Sequence, residues 1–315
     1  MFTIVIPLFN KEKYIRRAVD SVLLQVFEEF EIIIVDDGST DNSISKIADI
    51  SDIRLKIISQ ANKGVGAARN TGISNASFSW IALLDADDVW TINHLNELKN
   101  IIEDFPSSGM VATQIVSIDT NSKIHHISVE SEGTIRSVDY FFEASKDSSI
   151  VSSSSVAIRK DVFRSIGGFR DYKTGEDLEY WARIALDYPV AISEKVTSYY
   201  CRGTGGTTDS HVFKATKKNK SLGETSAAIK LLVDRAQSDP SILKNSNIKS
   251  YINNKILSIV KSWLYNGNIP IAKNRAKFAL PQRSITFSTL FFIAVTPEFI
   301  LERVTKAYKN LSQIV

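Results

Sequence analysis

Four short apolar runs in the first hundred residues, Phe2–Ile6, Glu31–Val35, Arg54–Ile58 and Trp80–Leu84, each end in a polar cluster. Most are β-branched, the pattern of strands covered on both faces in a parallel sheet. Between the first two, Lys11–Gln25 places Tyr14, Ile15, Ala18, Val19, Val22 and Leu23 on one helical face, with Asn10 as its expected N-cap. After the third, the glycine-containing turn Lys63-Gly64-Val65-Gly66 leads into another helix-like stretch. This βαβα rhythm predicts an open α/β sheet. Ligands of such sheets gather outside the carboxyl ends of the strands. Pro7–Asn10, Asp36-Asp37, Gln60–Lys63 and Asp85–Asp88 are therefore expected along one rim.

Beyond residue 109 the pattern predicts strands over Met110–Ile118 and Ile150–Ile158, a helix over Glu176–Asp187 and a strand over Thr197–Cys201. The glycines of Gly203-Thr204-Gly205-Gly206 read as a flexible connection, which places a domain boundary near 210. The expected domains are 1–209 and a basic, helical 210–315. Charge separates them: the first carries a formal −9 and the second +12, within a net +3 for all 315 residues. Such a basic back half points to an anionic partner. Cys201 is the single cysteine, which excludes an intrachain disulfide and a cysteine metal site. A strand-like run opens the chain where a secretory signal would stand, so a cytoplasmic location is expected.

Leu83-Leu84-Asp85-Ala86-Asp87-Asp88 sets three carboxylates directly behind an apolar strand. Like charges crowded together call for a cation or a donor-rich ligand. An oxygen-only donor set suits Mn²⁺ or Mg²⁺, held partly by substrate phosphates. If strand geometry persists, Asp85 and Asp87 point to opposite sides. The plainer reading is a helix cap, a role open to Asp88 just before Val89-Trp90. Asp36-Asp37-Gly38-Ser39-Thr40-Asp41 is a second acidic strand end, where Ser39 or Asp41 would cap a helix beginning near Asn42, or a carboxylate would accept from a base or ribose. Gly175-Glu176-Asp177-Leu178 opens the predicted helix over Glu176–Asp187; its acid is either a cap or a general base for an acceptor hydroxyl.

Taken together and in order, these segments resemble glycosyltransferase family 2. Thr3–Ile15 is similar to that family's first strand, loop and helix. Ser21–Gln25, Ile34–Ser43, Asn62–Gly72, Asp85–Trp90, and Gly167-Gly168-Phe169 with Gly175-Glu176-Asp177 resemble its later signatures, over about residues 2–206. The resemblance implies a GT-A fold, a Rossmann-like mixed sheet flanked by helices, and an inverting, non-processive transferase using a UDP-sugar and Mn²⁺ or Mg²⁺. It implies Pro7, Phe9 and Glu12 at the nucleotide, Asp37 accepting from uracil N–H, and Arg69 nearby. It further implies Asp85 and Ala86 at the ribose, Asp87 on the metal, and Asp177 as the base. One departure is Thr204 where the family often carries a histidine after Arg202; His211 follows soon after, as a substitute or as a surface residue. The family's processive members have membrane spans and a Gln-x-x-Arg-Trp motif that this chain lacks.

In the back half, the cluster Lys214–Lys220 and the apolar run Ile285–Thr296 fit a surface-lying membrane contact, as would serve a lipid-linked saccharide acceptor. The run has 12 residues, where a spanning helix needs roughly 20. A helical appendage packed on the first domain, or on a second copy, is the alternative. No nucleic-acid module accompanies the charge. Two rival functions share the acidic strand ends. A nucleotidyltransferase would carry a glycine-rich phosphate loop, which Leu8-Phe9-Asn10-Lys11-Glu12 is not. A non-catalytic sugar-nucleotide-binding protein would not require Asp37, Asp87 and Asp177 all to be present.

Overall fold

The computed structural model describes residues 1–119, 132–205, 226–298, 300–303 and 305. In chain order the first part runs β1 (Phe2–Leu8), α1 (Ile15–Leu23), β2 (Phe30–Asp36), β3 (Leu55–Ser59), α2 (Val65–Ser74), β4 (Trp80–Leu83), β5 (Val89–Trp90) and α3 (His94–Asp104). It continues β6 (Met110–Asp119), β7 (Ile135–Val138), α4 (Tyr140–Lys146), β8 (Val156–Arg159), α5 (Lys160–Ile166), α6 (Glu176–Asp187) and β9 (Val190–Arg202). Helices α7 (Ala227–Ser238), α8 (Ser246–Tyr265), α9 (Ile269–Ala276) and α10 (Ile285–Val295) follow.

The chain divides into two compact units: described residues 1–140 with 149–205, and 141–148 with those from 226 onward. The first is a mixed sheet in the order β3-β2-β1-β4-β8-β6-β9-β5, with β7 also on β9. The four strands expected from the apolar runs are mutually parallel, with Phe2 opposite both Phe30 and Trp80. From β4 outward the sheet turns antiparallel at β8. The even positions of β1 (Phe2, Ile4, Ile6, Leu8) join Ile15, Ala18, Val19 and Val22 of α1 and Leu95, Leu98 and Ile101 of α3 in one core. The opposite face takes α2, where a Cβ on Gly72 would lie 2.4 Å from Val5 Cγ1. Only glycine lets that helix approach so closely.

Because β2 and β4 flank β1 while the connections wind in opposite directions, the carboxyl ends of β1 and β4 form a topological switch point. Open α/β sheets bind ligands there. The loops after Leu8 and Leu83 meet at this point.

Several local expectations are corrected. Helix α1 begins at Ile15 with Tyr14 at its N-cap position, not Asn10. Asn10 instead takes a φ of 50°, and its side-chain oxygen accepts from Thr40 N at 2.8 Å. The stretch after Asn42 forms only a short 3₁₀ turn, Ser45–Ile47, with Asp41 accepting from Ser43 N and Glu12 N before it. The strand expected over Ile150–Ile158 is confined to β8, and β9 is far longer than Thr197–Cys201.

In the second unit, α8 buries Ile248, Tyr251, Ile252, Ile256 and Val260 along one face. Its Asn253 side chain both accepts from Leu280 N and donates to Leu280 O, fixing the turn before α10. No helix among the described residues is long and apolar enough to cross a membrane. Lys214–Lys220 and His211 lie outside the described residues.

Candidate active site

At the mouth of the switch point the three acids after β4 separate into three roles. Strand geometry stops at Leu83 and a turn follows, so simple alternation does not decide where Asp85 and Asp87 point. Asp85 accepts from Arg69 Nη2 at 2.8 Å. Asp87 Oδ2 accepts from Lys11 Nζ and from Thr204 Oγ1, both at 2.6 Å. Asp88 turns inward, 1 % exposed, and accepts from Ser154 Oγ and from Cys201 N. A strand, β5, follows it, so it caps no helix. Burial, then the neighbouring Asp85 and Asp87, push its pKa well above the ordinary carboxylate value. Its work is to tie the acidic turn to β9 and to the Ser152–Ser155 turn. It is a scaffold residue.

Arg69 joins the turn to the start of α6. Its guanidinium is 3 % exposed, with Nη2 on Asp85 and Nη1 on Glu176 Oε1 at 3.0 Å. Burial works to lower its pKa, but Asp85, Glu176 and Asp177 outweigh that and hold it above the usual arginine value. Glu176 is shifted upward by burial and by Asp177, against the pull of Arg69. A buried cation with two acids is stable only with such paired geometry. The next residue along the helix, Asp177, accepts from Leu178 N at 2.7 Å and has no other hydrogen bond among the described residues. Arg69 thus sets Asp85 and the α6 acids side by side, though they are far apart in sequence.

The adjacent Asn70 clamps Phe169, accepting from its N and donating to its O, both at 2.8 Å. A Cβ on Gly168 would fall 2.2 Å from Asn70 Oδ1, and Gly167 has a φ of 80°, which explains both glycines before Phe169. Arg183 donates to the carbonyls of Ile166 and Gly168 while paired with the fully buried Glu179. The loop leading to Asp177 is thereby held at its first end, and the Arg69–Glu176 pair holds the other.

On the β1 and β2 side, Pro7 is buried within β1 and Phe9 stands 45 % exposed at the strand's end. Glu12 accepts from Asn42 N and from its side chain. Asp37, 3 % exposed, accepts from Gln60 Nε2 (2.7 Å), Lys63 N (2.9 Å) and Gly64 N (2.8 Å), so it anchors the β3–α2 turn. A carboxylate has about four lone-pair positions. Three are filled. Ala86 is buried in the acidic turn.

To hold a divalent ion, this donor set would need oxygens from a bound ligand or water as well as a carboxylate. Among the described residues no three His, Cys, Asp or Glu groups converge to hold an ion unaided. Asp85 is paired with the buried guanidinium of Arg69, and Asp87 with the Lys11 ammonium and the Thr204 hydroxyl. The Asp87 carboxylate thus already accommodates a positive charge. One carboxylate completed by diphosphate oxygens and water matches Mg²⁺-type coordination.

Lys11, Arg17, Ser154 and Asn70 were not singled out by sequence. Arg17 Nη2 donates to Asp87 O at 2.9 Å and helps to fix the acidic turn. Of the four, Lys11 and Asn70 lay inside recognisable signatures, Thr3–Ile15 and Asn62–Gly72.

Residues 3–167, just over half of the chain, match the profile of glycosyl transferase family 2. The chain belongs to that family. Family membership covers the acidic turn and the Arg69-Asn70 pair, while Asp177 and Thr204 lie past the matched segment. Among curated relatives, an uncharacterized glycosyltransferase of Nostoc sp., alr2836, is 40 % identical over 126 residues, 38 % of each chain. WfgD of Escherichia coli, named as a UDP-Glc:α-D-GlcNAc-diphosphoundecaprenol β-1,3-glucosyltransferase, is 38 % identical over 96 residues, 30 % of this chain and 38 % of that one. The matches thus span well under half the length of these relatives. Among solved structures, residues 1–349 of TarS from S. aureus, crystallised with UDP-GlcNAc, superpose with a TM-score of 0.69 at 19 % identity, covering 98 % of this chain and 91 % of that one. The shared property is the fold, and the GT-A architecture implied by the family 2 signatures is the one observed.

Proposed function

We propose that this chain is a metal-dependent, inverting, non-processive glycosyltransferase. It moves a sugar from a UDP-sugar to a hydroxyl of a saccharide or lipid-linked saccharide in bacterial surface-glycan assembly. The observation that carries this reading is the Arg69 bridge, which sets the Asp85–Asp87 turn beside the acidic start of α6. Support for the nucleotide comes from the family, from WfgD's named UDP-Glc donor and from the fold shared with a UDP-GlcNAc complex.

In this reading Phe9, at the end of β1, offers a face to the base, with Pro7 and Glu12 shaping the same loop. Asp37 accepts the uracil N–H on its remaining lone pair while its other bonds hold the β3–α2 turn. Asp85 and Ala86 border the ribose, and Arg69 keeps Asp85 in place rather than touching the nucleotide. Asp87 would hold Mn²⁺ or Mg²⁺. When bound, the ion supplies positive charge to the departing diphosphate. Asp177 takes the acceptor's hydroxyl proton as that oxygen attacks the anomeric carbon from the face opposite UDP. A new glycosidic bond forms, the bond to the diphosphate breaks, and UDP leaves with the electron pair. One displacement inverts the anomeric centre.

The second unit would contact the inner face of the cell membrane, alone or as a homo-oligomer. Support comes from α10, which leaves Ile285, Phe291, Phe292 and Val295 well exposed.

The test is UDP release from a panel of nucleotide sugars, with and without Mn²⁺, for the wild type and Asp177→Asn. The expected result is metal-dependent turnover with one UDP-sugar, lost by at least about a hundredfold in Asp177→Asn, with UDP affinity retained. Undiminished turnover in that variant removes Asp177 as the base. UDP binding without turnover on any donor favours a binding protein.

A further inference from the structure

The contact that the proposed mechanism does not use is the one between Asp87 and Lys11. Lys11 Nζ lies 2.6 Å from Asp87 Oδ2, with the two side chains 16 % and 15 % exposed. The same ammonium donates to Thr204 O at 3.3 Å, and Thr204 Oγ1 donates to the same carboxylate oxygen. Lys11 has little freedom to leave by moving its backbone. Its N donates to Ser43 Oγ at 2.8 Å, and its carbonyl accepts from Tyr14 N and Ile15 N at the entry to α1. The ammonium therefore occupies the cation position of the acidic turn, held by the loops after β1 and after β9.

We propose that Lys11 is the resident counter-ion of Asp87 and couples divalent-ion binding to nucleotide binding. This rests on the reading of Asp87 as the metal ligand. A divalent ion arriving alone must push a like charge off the carboxylate, in a partly buried site where screening is weak. A diphosphate arriving with the ion gives the displaced ammonium a new anionic partner, and lysine is a flexible point charge suited to phosphate. The ion and the nucleotide then enter together, and each strengthens the other. Thr204 belongs to the same device. Its carbonyl holds the ammonium and its hydroxyl holds the carboxylate, where an imidazole would have offered a metal ligand instead.

The coupling is reciprocal by thermodynamic necessity. Removing the charge of Lys11 should tighten ion binding in the absence of nucleotide and shrink the gain that UDP brings. A residue acting only as a strut between the two loops moves neither quantity in that direction.

The experiment is a titration of Mn²⁺, followed by its paramagnetic resonance signal, into the full-length protein with and without UDP. The proteins are the wild type, Lys11→Met, Lys11→Gln, Lys11→Arg and Asp87→Asn. The expected result is about tenfold tighter Mn²⁺ binding without UDP in Lys11→Met and Lys11→Gln, with a smaller enhancement by UDP than in the wild type. Lys11→Arg, which keeps the charge, should stay near the wild type. The two neutral side chains of different polarity guard against a loss of fold in either one. Neutral variants that bind Mn²⁺ no more tightly than the wild type, while Asp87→Asn loses it, overturn the role of Lys11 and leave the metal reading standing. Mn²⁺ binding that survives in Asp87→Asn overturns the metal reading itself.

Discussion

Arg69 shows how one side chain can assemble a site whose parts are remote in sequence. It sits on α2, yet its two nitrogens reach Asp85 and Glu176. Lysine has a single ammonium and cannot reproduce the forked geometry. Arg69→Lys should therefore lower stability by about 3 kcal/mol, the scale for breaking a buried ion pair, and should disorder the start of α6. Urea unfolding gives the first quantity, and amide exchange at Asp177 and Leu178 reports the second. The placement of Asp87 just after β4 and of Asp177 at the start of α6 was legible in the sequence, because acids there follow an apolar strand or open an amphipathic helix. The roles of Lys11, Ser154 and Thr204 were not. Each acts on a partner tens of residues away, and no local period encodes such a distance. The capping role open to Asp88 fails for the same reason: its partners, Ser154 and Cys201, come from other parts of the chain.

At the scale of elements, the packing of α2 on β1 depends on a missing side chain. Gly72→Ala would drive a methyl group into Val5 and should cost about 2 kcal/mol, in the range for overpacking a core. Adding Val5→Ala should restore part of that loss, a non-additivity that a double-mutant cycle in thermal unfolding would detect. Independent effects of the two substitutions would show that α2 does not rest on β1 in this way. The Phe169 loop is fixed more by hydrogen bonds: Asn70→Ala strips both partners from the Phe169 backbone. The four parallel strands and the bounds of α6 could be read from periodicity, since short β-branched runs and i, i+3, i+4 spacing are local signals. The extent of β9 could not. Its first half carries polar Ser193, Glu194 and Lys195, and the strand is extended by β6 pairing on either side of them, at Val190–Ile192 and from Val196, and by β7 pairing up to Ser193.

Across the whole molecule, one buried imidazole sets a dependence of stability on pH. His94, fully buried, stacks on Trp90 with ring centroids 4.1 Å apart and has Nδ1 2.7 Å from Thr197 Oγ1. Burial lowers its pKa from 6.5 to about 3. Between these values the unfolded chain binds a proton that the folded one refuses, so stability is full above 6.5 and is lost as pH falls toward about 3. The drop in the urea midpoint between about pH 7 and about pH 4.5 should be smaller in His94→Gln than in the wild type. An equal drop would place the acid sensitivity elsewhere. The exposed face of α10 makes a second prediction at this scale. The protein should sediment with anionic lipid vesicles, and Phe291→Asp with Phe292→Asp should abolish this. Sedimentation unaffected by the double substitution would exclude α10 as the contact.

The central claim is that a nucleotide diphosphate and a divalent ion meet at Asp87. Calorimetric titration of UDP into the wild type and Asp87→Asn, each with and without Mn²⁺, tests it directly. The account predicts that Mn²⁺ tightens UDP binding at least about tenfold in the wild type and leaves it unchanged in Asp87→Asn. Equal enhancement in both proteins, or no heat of UDP binding at all, would contradict it.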